Sequence, residues 1–171
     1  QGNLVLVHPD LEVEGNFRRT LSFDTTSRAE ADRIVDLWKE EGPGWHPRSA
    51  QALRVRTPAG ETAVIWNAHL TNRDYRPGQR LEETRALAGF LDEVARPGER
   101  LLGGGDLNAR PGSPEVRLLE ERGLRLAGGG IDWIGVRGGP SPEGLRSDTL
   151  RQGTLQVSDH PLVTADLPAA G

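Results

Sequence analysis

The 171 residues include no cysteine, no methionine, a single lysine (Lys39) and a single tyrosine. Without cysteine there is no disulfide framework and no thiolate metal site, so any bound metal takes oxygen or imidazole ligands. No run of about 18 apolar residues occurs, which leaves no candidate for a membrane-spanning helix. No secretion-signal pattern is visible at the start. With no methionine and Gln1 in first place, the chain reads as processed or excerpted, and localisation stays open. Positive charge is not in excess either: 21 Lys+Arg stand against 25 Asp+Glu, a formal net charge of -4. That is unlike the basic footprint of a protein that holds nucleic acid mainly through its backbone charge, although a small catalytic contact stays allowed. Every basic residue other than Lys39 and the histidines is arginine, read as compositional bias.

What is present fits one globular, loop-rich domain over residues 1–171, with 35% hydrophobic residues, 22 Gly and 12 Pro. Leu4–Val7 reads as a short buried strand stopped by His8-Pro9-Asp10, and Arg19 to Phe23 as a second. Ser27-Arg28-Ala29-Glu30 has capping-box spacing and opens a helix with Ala31, Ile34, Val35 and Trp38 on one face, ended by Gly42-Pro43. Ala52–Thr57 and Thr62–Ala68 flank Pro58-Ala59-Gly60-Glu61 as a hairpin. Leu81, Thr84, Leu87, Ala88, Leu91 and Val94 predict a helix that stops before Pro97-Gly98. Leu101-Leu102 begins a strand, and Gly103-Gly104-Gly105 reads as a tight turn after it. Pro114 starts a short helix capped by Ser113 and ended at Gly123. Ile131–Val136 is a strand, Gly138–Ser147 a loop, and Thr149–Val157 and Leu162–Leu167 are closing strands. Strands outnumber helices, so an α+β arrangement of stacked sheets covered by helices is expected, with polar strand ends gathered at one rim.

Four clusters end or interrupt strands: Asn67-Ala68-His69, Asp106-Leu107-Asn108, Ile131-Asp132-Trp133 and Ser158-Asp159-His160. Singly each is explained by turn chemistry or a satisfied histidine. Together they supply carboxylates, imidazoles and an amide, the set that phosphoester hydrolysis asks for: a water must lose a proton while charge on the phosphoryl oxygens is offset. Magnesium prefers oxygen ligands and one or two protein carboxylates, which Asp106 and Asp159 supply. An Asp bonded to the far nitrogen of an imidazole fixes its tautomer, and Asp132 is paired with His160 on that ground. Other features have blander readings. The three glycines lack the Gly-Lys-Ser/Thr of a phosphate loop. Ser158, Asp159 and His160 are chain neighbours that cannot relay protons in sequence order, leaving Ser158 a structural hydroxyl. His8 and His46 precede prolines in turns. Trp38, Trp45, Trp66 and Trp133 read as packing.

Asn67-Ala68-His69-Leu70, Gly105-Asp106-Leu107-Asn108-Ala109, Ile131-Asp132-Trp133-Ile134 and Ser158-Asp159-His160-Pro161 resemble, in order and spacing, the motifs of the endonuclease/exonuclease/phosphatase superfamily. The resemblance runs from about Ala52 to Leu167, with Gly2–Pro9 similar to the strand that precedes it. It implies a four-layer α/β/β/α sandwich of two mixed sheets flanked by helices, with a divalent-metal site at one rim. Magnesium is the implied ion, manganese or calcium the alternatives. Asp106, Asn108 and Asp159 would hold it. Asn108 would also position water and phosphate, His160 with Asp132 would act as base or phosphate contact, and His69 would stabilise the phosphate or assist the leaving group.

Asn67 and Arg110 are candidate substrate contacts, although a backbone bond at a strand end explains Asn67 as well. Arg73, Arg76 and Arg80 flank the site from the loop after His69. The resemblance also implies an earlier strand pair carrying an Asn and a metal-binding Glu. Glu12 and Glu14 do not replace that Glu and read as solvated loop charges. The chain is therefore expected to be incomplete at its N-terminus and weakly active unless a second chain supplies the strands. The expected substrate is a phosphodiester, nucleic acid first, then a phospholipid or inositol phosphate; a non-catalytic binding module is the remaining alternative.

Overall fold

The computed structural model describes residues 5–22, 47–72, 78–128, 130–149, 151–152, 155–156, 158 and 160–166, with Asp32, Asp36 and Lys39. In chain order the elements are strands β1 (Glu12–Thr20), β2 (Ser49–Arg56) and β3 (Thr62–His69), helix α1 (Gln79–Val94), strand β4 (Arg100–Asp106) and helix α2 (Pro114–Glu121). Strands β5 (Arg125–Gly128), β6 (Asp132–Arg137), β7 (Glu143–Asp148), β8 (Arg151–Gln152), β9 (Leu155–Gln156) and β10 (Leu162–Asp166) follow. Of the helix expected at 27–42, only Asp32, Asp36 and Lys39 are described, all helical and exposed; Trp38 and its stripe lie outside the described residues.

Six strands form one mixed sheet in the order β1-β2-β3-β4-β6-β5, in which only the β3–β4 pair is parallel. Paired residues share a face of a sheet. Val64, Trp66 and Ala68 of β3 therefore face the same way as Leu101, Gly103 and Gly105 of β4. This face packs against α1 through Leu87, Ala88, Phe90, Leu91 and Val94 and against α2 through Val116 and Leu119, in one buried cluster. Each Leu or Phe so buried contributes roughly 1.5–3 kcal/mol, and the 81/84/87/88/91 spacing puts them on one side of α1. The other face carries a smaller apolar set, with Leu53, Val55 and Val136 buried. Strand β10, paired with β7, lies on that side, where Pro161 and Val163 close a cleft floored by Gly104 and Ile134. The layers of an α+β sandwich result: helices, mixed sheet, second sheet.

Charge also fastens the sheet to the helix. Arg54 in β2 bonds both carboxylate oxygens of Glu99, at 2.8 and 3.1 Å, and the carbonyl of Val94 at the end of α1. The side chains of this pair are 9% and 3% exposed. Helix α2 starts as read: Ser113 Oγ accepts from the N–H of Val116, with Pro114 in the first turn.

Four expectations are corrected. Residues 5–8 form no strand, and Leu6 is 84% exposed. Strand β1 instead covers Glu12–Thr20, because antiparallel pairing with β2 gives one edge of its backbone hydrogen-bond partners whatever its side chains. Glu12 and Glu14 are thus strand residues, and Glu14 pairs with Arg56. The loop read at Gly138–Ser147 contains most of β7, whose six residues are all exposed and carry no alternation to read. Gly103–Gly105 are not a turn but the second half of β4. A Cβ on Gly103 would lie 2.0 Å from the Trp66 carbonyl oxygen, and one on Gly104 1.9 Å from that of Trp133. These glycines let three strands approach closely.

Candidate active site

His69 is the last residue of β3, Asp106 the last of β4 and Asp132 the first of β6. Parallel β3–β4 pairing sets His69 opposite Asp106, and antiparallel β4–β6 pairing sets Asp106 opposite Asp132. The three side chains therefore stand in one row across adjacent strands, on the face away from the helices. His160, in the segment leading into β10, closes over this row. Its Nδ1 lies 3.0 and 3.1 Å from the two carboxylate oxygens of Asp132. Its Nε2 lies 3.8 Å from Asp106 Oδ2, and His69 Nε2 approaches the same oxygen to 3.4 Å. Asp106 Oδ2 thus stands between two imidazoles. The backbone N–H of His160 donates to Ser158 Oγ at 3.0 Å, which makes Ser158 a turn former.

The loop after β4 is equally constrained. Asp106 Oδ1 accepts from the N–H of Asn108 at 2.8 Å, an Asx turn that places Asn108 at φ 48°, a left-handed conformation Asn tolerates. The Asn108 amide donates to the Leu70 carbonyl at 2.9 Å, and the Leu70 N–H donates to the Asp106 carbonyl at 2.9 Å. Asn108 is thereby tied to the exit of β3, one residue past His69.

Burial raises the Asp106 carboxyl above its ordinary value and Asp132 adds to the rise, against the opposing pull of the Asn108 N–H, His69 and His160. The His69 imidazole is lowered, by burial first and then by the charge of Arg48, which outweigh Asp106. Arg48 Nη1 lies 3.2 Å from His69 Nε2. Since guanidinium only donates, Nε2 is the acceptor and His69 is assigned neutral with its proton on Nδ1.

One donor atom each from Asp106, Asp132 and His160 lie within 4.8 Å of one another. The negative charge that Asp106 and Asp132 gather at this rim suits a divalent cation, so the residues present fit one. Asp106 belongs both to this cluster and to the ligand set implied by the sequence. Asp159, the second carboxylate of that set, lies outside the described residues, as do Arg73, Arg76, Trp45 and His46. Asn67 stands one row in from His69 on the same face, opposite Gly104. Arg110 is exposed. Arg80 meets Glu115 and the Thr71 carbonyl, each at 3.4 Å.

Sequence reasoning passed over two residues. Arg48 follows His46-Pro47 in a stretch read as a turn and carries no periodic signal. Glu83 is fully buried, and its carboxylate accepts from Ser22 Oγ at 2.9 Å, Gln79 Nε2 at 3.1 Å and the Thr71 N–H at 2.8 Å. Here a signal existed. Glu83 shares helical spacing with Leu87, Phe90 and Val94, and an acid on an apolar stripe calls for partners.

A DNase I-like sandwich with an acid–imidazole rim is the class that fold and site define. No protein-family model matches the sequence, and no curated protein matches it. Solved structures do: the chain has the fold of the endonuclease/exonuclease/phosphatase superfamily. A mannosyl-6-phosphatase from Bacteroides thetaiotaomicron superposes with a TM-score of 0.65 at 14% identity, over 94% of this chain and 68% of that one. An endonuclease/exonuclease/phosphatase family protein from the same organism gives 0.58 at 13% identity, over 94% and 62%. D. rerio TDP2 complexed with single strand DNA product gives 0.62 at 12% identity, over 91% and 68%. The chain thus spans about two thirds of the length of these structures.

Proposed function

We propose that this chain carries the catalytic rim of a divalent-metal-dependent phosphoester hydrolase acting on a phosphodiester. The observation that carries the reading is the convergence of the Asp132–His160 pair and His69 on Asp106 Oδ2. In the paired imidazole, Asp132 holds Nδ1, leaving Nε2 turned toward Asp106 to take a proton from the attacking water. Arg48, beside a neutral His69, offers its guanidinium to the phosphoryl oxygens. Asn108, fixed by two hydrogen bonds, positions water and phosphate with its amide. Asp106, with Asn108 and Asp159, would hold the cation, magnesium first. When bound, the cation offsets charge on the phosphoryl oxygens and lowers the pKa of water. Nucleic acid is the proposed substrate class. TDP2, which shares the fold, was solved with a DNA product, and Arg48 at the rim, with Arg110 on the loop after Asp106, suits successive phosphates.

The test is magnesium-dependent cleavage of plasmid DNA by the full-length protein, abolished in His160→Ala and Asn108→Ala. Activity surviving both substitutions would refute the site. If DNA stays intact but bis(para-nitrophenyl) phosphate or a sugar or inositol phosphate is hydrolysed, the substrate class is wrong and the chemistry stands. A folded protein that neither binds metal nor cleaves any of these is a binding module.

A further inference from the structure

Glu83 is the one carboxylate among the described residues with no exposed surface. Burying it costs several kcal/mol that a leucine would avoid, and α1 is already anchored by Leu87, Phe90 and Leu91. Stability alone therefore gives a poor account of it. Its partners say more. Ser22 Oγ, which donates its hydrogen bond to Glu83, accepts from the N–H of Arg48 at 2.8 Å, and the Leu21 N–H donates to the Arg48 carbonyl at 2.7 Å. Both ends of residue 48 are thus fixed where its guanidinium meets His69. The other carboxylate oxygen holds the Thr71 N–H, next to Leu70, whose N–H and carbonyl meet Asp106 and the Asn108 amide. One carboxylate therefore grips the segment before β2 and the segment after β3, and each leads in two steps or fewer to the rim.

We propose that Glu83 is the positioning residue of the site: it sets Arg48 against His69 on one side and the Leu70–Asn108 bridge on the other. The proposal rests on the hydrolase reading for its kinetic arm and stands on its own for its exchange arm. A carboxylate offers an acceptor to each of the three donors, from two loops and the helix, that converge here.

The experiment compares Glu83→Ala, Glu83→Gln and Ser22→Ala in the full-length protein, with magnesium and bis(para-nitrophenyl) phosphate, at a temperature where circular dichroism shows each folded. Misplacement by about 1 Å costs up to about 10²-fold, so kcat per folded Glu83→Ala molecule should fall by between about tenfold and 10²-fold, with KM moving far less. Glu83→Gln should restore most of it, since its amide oxygen still accepts from Thr71 and its NH2 can donate to Ser22 or a turned Gln79. Ser22→Ala cuts only the Arg48 arm and should fall between. Amide exchange at Asn108 should quicken in Glu83→Ala and stay slow in Glu83→Gln.

Wild-type kcat in a folded Glu83→Ala overturns the proposal, as does equal loss in all three variants. Should Glu83→Ala not fold, unchanged kcat in Ser22→Ala overturns it and a selective kcat loss supports it. A wild type with no turnover sinks the hydrolase reading alone, and exchange at Asn108 then decides this one.

Discussion

His160 Nδ1 lies 3.0 Å from Oδ2 of Asp132, 28 positions earlier in the chain. The contact joins the start of β6 to the segment leading into β10, so the imidazole is oriented by the sheet itself rather than by its own loop. An imidazole held at Nδ1 by a carboxylate presents Nε2 in one tautomer, and this is the state a base needs.

Asp132→Asn should therefore act on chemistry rather than on fold. The amide cannot accept the Nδ1 proton with a carboxylate's charge and favours the wrong tautomer. General-base catalysis is worth about 10²–10⁴-fold, and kcat should fall into that range in both Asp132→Asn and His160→Ala. Because the two act as a unit, the double variant should be no slower than His160→Ala alone. Losses that multiply would show that they act separately.

Asp106→Asn separates binding from stability. The Asp106 carboxyl is raised by burial, with Asp132 adding to it. For a carboxyl raised on folding, the ionised form is disfavoured in the folded state, so the penalty is present above its folded value and relieved as pH falls. The asparagine variant should then unfold at equal or higher temperature than wild type in metal-free buffer at neutral pH, yet gain nothing from added magnesium. Calorimetric titration and thermal unfolding with and without the ion measure both. Unchanged magnesium affinity would remove Asp106 from the ligand set.

How much of this was legible follows from where the signals are local. His69, Asp106, Asp132 and His160 each end or interrupt an apolar strand, and such breaks show in sequence. Their alignment in one row does not, because it depends on the parallel β3–β4 register, and those strands are separated in sequence by the whole of α1. Gly103–Gly105 read as a turn because local rules see only the freedom of glycine; the need for it lies in the carbonyls of Trp66 and Trp133 on neighbouring strands. Strand β7 has no apolar alternation, and only its pairing with β10 makes it a strand. Glu83 is hidden in the sequence because an acid next to the Leu81, Thr84, Leu87, Leu91 stripe reads as a solvated charge unless its partners, which come from distant segments, are known.

Acid should weaken the fold through Glu99. Burial pushes its carboxyl up, but the hydrogen bond from Arg54, the Arg96 N–H and the arginine charges outweigh it and hold the group below its ordinary value. A depressed carboxyl stabilises the fold above its unfolded value, and this contribution is lost as pH falls through the folded value. Glu99→Gln should cost roughly 3–5 kcal/mol at neutral pH, the penalty for leaving a buried partner charge unpaired. In urea titrations the gap to wild type should close as pH drops below the carboxylate range. A gap independent of pH would mean that packing, not charge, holds Arg54.

Gly104→Ala tests whether the sheet sets the active-site geometry. Its Cβ would meet the Trp133 carbonyl oxygen at 1.9 Å and the Ile134 Cα at 3.1 Å, both backbone atoms that cannot swing aside. Strands β4 and β6 must separate, and two residues further along they carry the facing pair Asp106 and Asp132. Overpacking of this kind costs about 1–3 kcal/mol, and a displacement near 1 Å costs up to about 10²-fold in rate. Gly60→Ala is the matched control. Gly60 has φ 86° with nothing within 4 Å of its Cβ position, in the β2–β3 turn at the opposite end of the sheet from the rim. It should lose about 1 kcal/mol from left-handed strain and keep its kcat. If both variants turn over alike, the close approach of β4 and β6 is not what holds Asp106 against Asp132, and the burden shifts to the Asx turn at Asn108.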